Sequence, residues 1–380
     1  MKPFLTRIAA ASSALLGALL VSGCGGGATA DTTPQISISS VKVFGDSLQD
    51  SGTFGFKATV QTANNLLYVE RIAAGYNQTL CNYFMPTSAT TFTANTAKTG
   101  CTNYAIAGGR ITHTGALPTS ALNIGVQMTT YAATGSFTAS DLVIIDGGGN
   151  DTADLVGAYL KAATDSGATY GALLGTLLTQ TQITTALTGG AATTAAIGGT
   201  YMTALADKFY ASIKTNVLDK GATHVVVMNI PDITFTPKFQ LVLDGIGAAR
   251  GAAARAQSQA LFQSWITAYN TQLASKLAGN DGVIVIDFYK AFQDQVATPA
   301  QFGLTNVKDP VCPSSGAGSD GLPAYSFPAC TDTALAAVAG KPSADWWKSY
   351  GFSDSFHPTP YGHQLTQQLI AKSLATKGWL

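Results

Sequence analysis

Three side chains of this sequence could together break an acyl bond. Ser47 follows Gly45 and Asp46 at the end of the run Ser40-Val41-Lys42-Val43-Phe44, and His357 stands between Asp354 and Pro358 near the other end of the chain. A serine hydroxyl is a poor nucleophile until a neighbouring imidazole takes its proton, and the imidazole needs a carboxylate to fix its tautomer and stabilise its charged form. Asp354 and His357, with proline locking the backbone behind them, can share one side of a turn and meet that need. The negative oxygen created by such an attack must be met by donors already in place. Two glycine-rich stretches are candidates: Asn103-Tyr104-Ala105-Ile106-Ala107-Gly108-Gly109, where paired glycines let an amide approach closely, and Gly147-Gly148-Gly149-Asn150-Asp151. Alone, each fragment also reads as an ordinary turn, cap or solvated loop.

These residues have to be carried to one place, and the hydrophobic pattern indicates how. Residues 40–44 read as a buried strand, 140–146 as a central parallel strand apolar throughout, 223–230 as a third strand stopped by Pro231, and 282–288 as a fourth. Helical spacing recurs over 64–74, 152–163, 200–218, 255–277 and 361–377, the third carrying Met202, Leu205, Phe209, Ile213 and Val217. Strands alternating with helices predict the α/β class, with a parallel sheet covered on both faces and ligands at the strands' carboxyl ends. Residues 173–199 are rich in Ala, Thr and Gly and read in part as helix. No break in composition divides residues 39–380, which predicts a single domain. Residues 302–349 depart from the alternation: they are rich in Pro, Gly and Ser and carry Cys312, Cys330, Trp346 and Trp347. They read as an irregular, disulfide-bearing insertion, either at the mouth of the site, where its tryptophans favour an apolar acyl chain over a sugar, or as a stapled surface loop.

Lys plus Arg and Asp plus Glu both number 21, so no global field recruits nucleic acid or an anionic membrane. The low charged fraction, 11%, leaves a polar, uncharged surface of the kind common in exported proteins. Lys2 and Arg7, the short apolar run 8–21 and the small-residue stop Val21-Ser22-Gly23-Cys24 predict an export signal over 1–23 rather than a spanning helix. Cysteine after two small residues resembles the lipobox of bacterial lipoproteins. That implies lipidation of Cys24, a flexible tether over 24–38 and attachment to the bacterial envelope as an outer-membrane lipoprotein, since Gly25 is not the Asp of inner-membrane retention; plain secretion is the alternative. The four remaining cysteines form an even set without close C-x-x-C spacing, which favours disulfides over metal. Sequence-local pairing, Cys81 with Cys101 and Cys312 with Cys330, is expected. No H-E-x-x-H or G-x-S-x-G occurs, His113, His224 and His363 are scattered, and no metal or cofactor is expected. Arg110 and His113 could line a substrate pocket or simply pack.

The ordered set Gly45-Asp46-Ser47-Leu48, Asn103-x-Ala105-x-x-Gly108, Gly148-x-Asn150-Asp151 and Asp354-x-x-His357-Pro358 resembles the four blocks of the GDSL, or SGNH, hydrolase family. The segment Asn229-Ile230-Pro231-Asp232 resembles a loop of its long bacterial members. The resemblance implies Ser47 as nucleophile, His357 as base and then acid, and Asp354 as its orienting partner. It implies an oxyanion hole of the Ser47 amide, the Gly108 amide and the Asn150 side chain, with Gly109 as the fallback for Gly108. It also implies a flavodoxin-like three-layer α/β/α sandwich with about five mostly parallel strands. The expected activity is hydrolysis of carboxylic esters, lipid-like or of short to medium acyl chain. A carbohydrate or polymer acetylesterase is the alternative within that chemistry, and a non-catalytic surface-binding lipoprotein the alternative outside it.

Overall fold

The computed structural model describes Pro34 and residues 36–380. The expected signal segment 1–23, Cys24 and most of the 24–38 tether lie outside those residues.

Four strands, Ser40–Phe44, Asp141–Ile145, Val225–Met228 and Val283–Ile286, pair in that spatial order, and every pairing is parallel. Side chains of a strand alternate between faces, and here the alternation separates two cores. Val43, Leu142, Ile144, Val226 and Met228 face one way and pack with helices Tyr68–Gly75 and Pro360–Thr376. Phe44, Val143, Ile145, Val225 and Val227 face the other way, toward helices Ile124–Ala132, Gly149–Lys161, Ala191–Asn216 and Ala252–Leu277. The result is the three-layer α/β/α sandwich. Lys42 breaks the apolar pattern of the first strand, and its ammonium is paired with Asp141 at 2.6 Å on the neighbouring strand.

The sheet has four strands, not five. On the outer side of the first strand, a segment passes through only one bridge: the Val43 amide donates to Thr102 O at 3.0 Å and the Tyr104 amide to Val43 O at 2.8 Å. The Ile106 amide still reaches Gly45 O in register, but the Gly45 amide, which the ladder would send to Tyr104 O, donates to the Gln127 side chain instead, and the pairing ends there.

The expected helices are present with shifted ends, and the ambiguous 173–199 region contains helix Gln180–Thr188 and the start of Ala191–Asn216. Helices Ile124–Ala132, Pro237–Arg250 and Phe288–Ala297 are additions to the sequence reading. The second of these carries Gly245 and Gly247, poor helix formers that mask its pattern.

Residues 302–349 are more ordered than their composition predicts. Strand Asn306–Pro310 runs parallel to Tyr350–Phe352, and Ser314–Ala317 pairs with Pro323–Tyr325 in antiparallel fashion. Cys312 is joined to Cys330, and Cys81 to Cys101. Trp346 and Trp347 belong to a small core of this segment, with Val311, Phe327 and Leu335, against Ala58 and Val60. They stabilise the insertion and do not reach Ser47, which corrects the expectation that they mark an apolar substrate site.

Candidate active site

The first strand ends at Phe44, and the chain turns sharply at its carboxyl end. The buried Gln127 side chain holds that turn, accepting from the Gly45 amide at 2.8 Å and donating to Gly45 O at 2.9 Å. Ser47 stands on the turn, and its Oγ lies 2.8 Å from His357 Nε2. His357 Nδ1 lies 2.8 Å from Asp354 Oδ2. The other carboxylate oxygen of Asp354 accepts from the amides of Phe356 and His357, at 2.7 and 2.6 Å, so the carboxylate is fixed before it meets the ring.

The two partners shift each other's titration. Burial would raise the Asp354 carboxyl, but the neighbouring imidazole and the two amides outweigh it and hold Asp354 below its ordinary value. Burial would lower His357, but Asp354, with a further contribution from Asp46, holds the imidazole above its ordinary value. Asp46 itself is raised, chiefly by burial. His363 sits behind the pair, stacked on Tyr68, and burial pushes it down to about 3. It is a neutral packing residue. His224 stands edge-on to Trp379, far from this chemistry in role.

Gly108 and Gly109 lie against the Ser47 turn, and the structure distinguishes them. Gly108 has φ +84°, a conformation that favours glycine, and its amide has no hydrogen-bond acceptor among the described residues. The Ser47 amide is equally unpartnered. Gly109 donates its amide to Ile106 O at 2.9 Å, and a Cβ there would stand 2.8 Å from Gly45 O. Its place is a close backbone contact, and its amide is already spent within the loop. Asn150 lies in the first turn of helix Gly149–Lys161, and its amide nitrogen donates to Gly109 O at 2.9 Å. Amides at a helix N-terminus and the aligned peptide dipoles both favour negative charge in front of it.

The supporting roles of several residues were not read from sequence, although Asn103, Arg110 and Asp151 were singled out there. Asp50 accepts from the Gly52 and Thr53 amides with one oxygen and from the Ala107 amide, at 2.7 Å, with the other, which ties the serine turn to the glycine loop. Asn103 donates to Gln49 O at 2.6 Å, a second tie between them. Arg110 donates to Gly108 O at 2.7 Å and to both oxygens of Asp154, and it also borders the open cleft with His113. Asp151 accepts from the Ile111 and Thr112 amides, and burial pushes its carboxyl up to about 7. Their only advance signal is a polar residue within a motif, and their partners are far away in the chain.

Among the described residues no group of His, Cys, Asp and Glu could hold a metal ion, and no helix is long and apolar enough to cross a membrane. A search of curated proteins gives no match. The family model for GDSL-like Lipase/Acylhydrolase matches residues 41–370, which include the strand before Ser47, both glycine loops and the turn of Asp354 and His357. On that match over nearly its whole length, the chain belongs to the GDSL-like lipase/acylhydrolase family.

Proposed function

We propose that this ester-hydrolase family member is a serine esterase that works through an acyl-enzyme on Ser47. Ser47 Oγ attacks the carbonyl carbon while His357 Nε2 takes its proton. Asp354 holds the ring so that Nδ1 donates to it and Nε2 is free to accept. The carbonyl oxygen, now negative, accepts from the amides of Ser47 and Gly108 and from the second N–H of the Asn150 side chain, which is otherwise held only by a long 3.4 Å contact to Asp46. The proton on His357 passes to the alcohol oxygen as the C–O bond breaks. Water then enters, gives a proton to His357, and releases the acid from Ser47 as the proton returns to Oγ.

The observation that carries this reading is the unbroken Ser47–His357–Asp354 relay beside two backbone amides without acceptors. The engaged amide of Gly109 favours Gly108 over its neighbour as donor. Labelling with a fluorophosphonate, with the modified peptide located by mass, tests it: label on Ser47 is expected, and label elsewhere or none overturns it. The wide, partly charged cleft at His357 favours a second reading, a polymer ester, and turnover of acetylated xylan without turnover of simple acyl esters would replace the first.

Export through residues 1–23, lipidation at Cys24 and a single catalytic domain over 39–380 belong to the same proposal. The two disulfides support an oxidising compartment. The mass of the mature amino-terminal peptide, with or without acyl groups on Cys24, distinguishes an anchored protein from a released one.

A further inference from the structure

Two different spaces meet at His357. One is a cavity of about 80 Å³ that also touches Ser47 and runs along the carboxyl ends of the third and fourth strands. Its walls are almost wholly carbon. Ile230 and Pro231 form the side next to the sheet, Phe292 and Val296 of helix Phe288–Ala297 the opposite side, and Leu304 and Val307 of the insertion close it. The ring of Phe292 stands edge-on to those of Phe288 and Phe352, with centroids 6.2 and 6.0 Å away, so this wall is fixed by packing. The other space is an open cleft of about 1480 Å³ bordered by Arg110, His113 and the ion pair of Lys238 with Asp320.

We propose that the enclosed cavity seats a single linear aliphatic acyl chain, that Phe292, Val296 and Leu304 gauge its length, and that the open cleft takes a bulky polar alcohol. This rests on the serine esterase reading of the site. An enclosed space needs only some 10–15 Å³ of such volume per water-sized group, so the cavity admits several chain carbons in file. At that volume it has no room for a second chain. Asp46 and Asp146 border the cavity at the serine end, where burial raises both carboxyls. The cleft is wide and mixes apolar side chains such as Leu160, Leu173 and Phe239 with charges of both signs, which suits a bulky, hydrated leaving group. The preferred substrate is therefore an amphiphile with one acyl chain. Each methylene added to the chain is expected to raise kcat/KM roughly fourfold until the cavity is filled, after which the gain stops.

The test is a series of linear p-nitrophenyl esters from acetate to dodecanoate, assayed with the wild type, Val296→Trp and Phe292→Ala. Val296→Trp narrows the cavity and is expected to lower the octanoate-to-acetate ratio of kcat/KM by roughly tenfold or more. Phe292→Ala widens it and is expected to move the optimum to longer chains. Unchanged ratios in both variants overturn the assignment; should Val296→Trp fail to fold, the widened variant decides alone. A structure of the enzyme with an octylphosphonate on Ser47 is a second arm: a chain inside the cavity supports the assignment, and a chain in the open cleft overturns it. A wild type that hydrolyses none of the esters and takes no phosphonate instead removes the underlying esterase reading, so the two failures are distinguishable.

Discussion

The serine side of the site rests on the parallel sheet, whereas the histidine side rests on a stapled segment outside it. Ser47 and the amides near it are held by backbone at strand ends, by Gln127 and by carboxylates that accept amide protons, all within the main cores. Asp354 and His357 follow the short strand Tyr350–Phe352, whose partner is Asn306–Pro310 of the insertion. The amide of Cys312, itself in the disulfide to Cys330, donates to Ser353 O at 2.8 Å, and the ring of Phe327 stands edge-on to His357 at 5.5 Å. The serine side also has a disulfide neighbour, since the Asn103 amide donates to Cys81 O, but there the sheet provides a second support. The histidine side is backed as well by helix Pro360–Thr376, which packs on the sheet, and by the Lys238 amide donating to Ser355 O at 2.7 Å, so what sets the two sides apart is the stapled insertion.

The largest expected effects ignore that difference and test the relay itself. Ser47→Ala and His357→Ala should each lower kcat by roughly 10⁶-fold with the fold retained, as judged by circular dichroism. Equal turnover in Ser47→Ala would remove the mechanism. Asp354→Asn should lower kcat by roughly 10⁴-fold, because the ring loses its preferred tautomer. The pH profile belongs to this step. His357 must be neutral to accept the proton, so kcat/KM of the wild type should fall as pH drops through a value above 6.5, and that limb should move to lower pH in Asp354→Asn. The stability of the pair has a different dependence. A raised imidazole stabilises the fold below its unfolded value and loses that contribution as pH rises through its folded value. A lowered carboxyl contributes above its unfolded value and loses it as pH falls. The pair is thus most stabilising between those two titrations, on the acid side of where it is most active.

The disulfides then separate the two sides. Removing either pair, as Cys312→Ser with Cys330→Ser or as Cys81→Ser with Cys101→Ser, should cost about 3 kcal/mol of stability by freeing a loop of similar length. Only the first should also move the acid limb downward, since it loosens the turn that holds Asp354 against His357. An unmoved limb in that variant would make the insertion a surface feature with no part in the site. The smallest effect is expected at Arg110. Arg110→Ala leaves Gly108 O without its charged donor and should lower kcat by about tenfold without moving the limb, in line with a lost hydrogen bond of about 1.5 kcal/mol. A shifted limb would place Arg110 on the wrong side of the comparison.

This contrast also explains what could be read in the chain before its structure. The strands around Ser47 and Asp146 were legible because burial on both faces leaves a continuous apolar run, and Ser47, Asp354 and His357 were legible because the chemistry restricts residue type. The shortening of the fifth strand was not, since it depends on the Gly45 amide finding its acceptor in the distant Gln127 side chain. The choice between Gly108 and Gly109 turned on one carbonyl, Ile106 O, that no pattern identifies. Asp50, Gln127 and Arg110 act on partners brought near only by folding, as do the cavity walls from Ile230 to Val307. The tryptophans of the insertion misled because their bulk marks a core as readily as a substrate site.

The contact between Ser47 and His357 joins residues 310 positions apart. A ribosome-bound or proteolytically clipped chain that has its sheet but lacks the turn before the last helix carries a silent hydroxyl, unable to attack any ester around it. On the proposed mechanism, hydrolytic competence waits until residue 357 has been made and gathered beside Ser47, and loss of that turn alone is enough to switch it off.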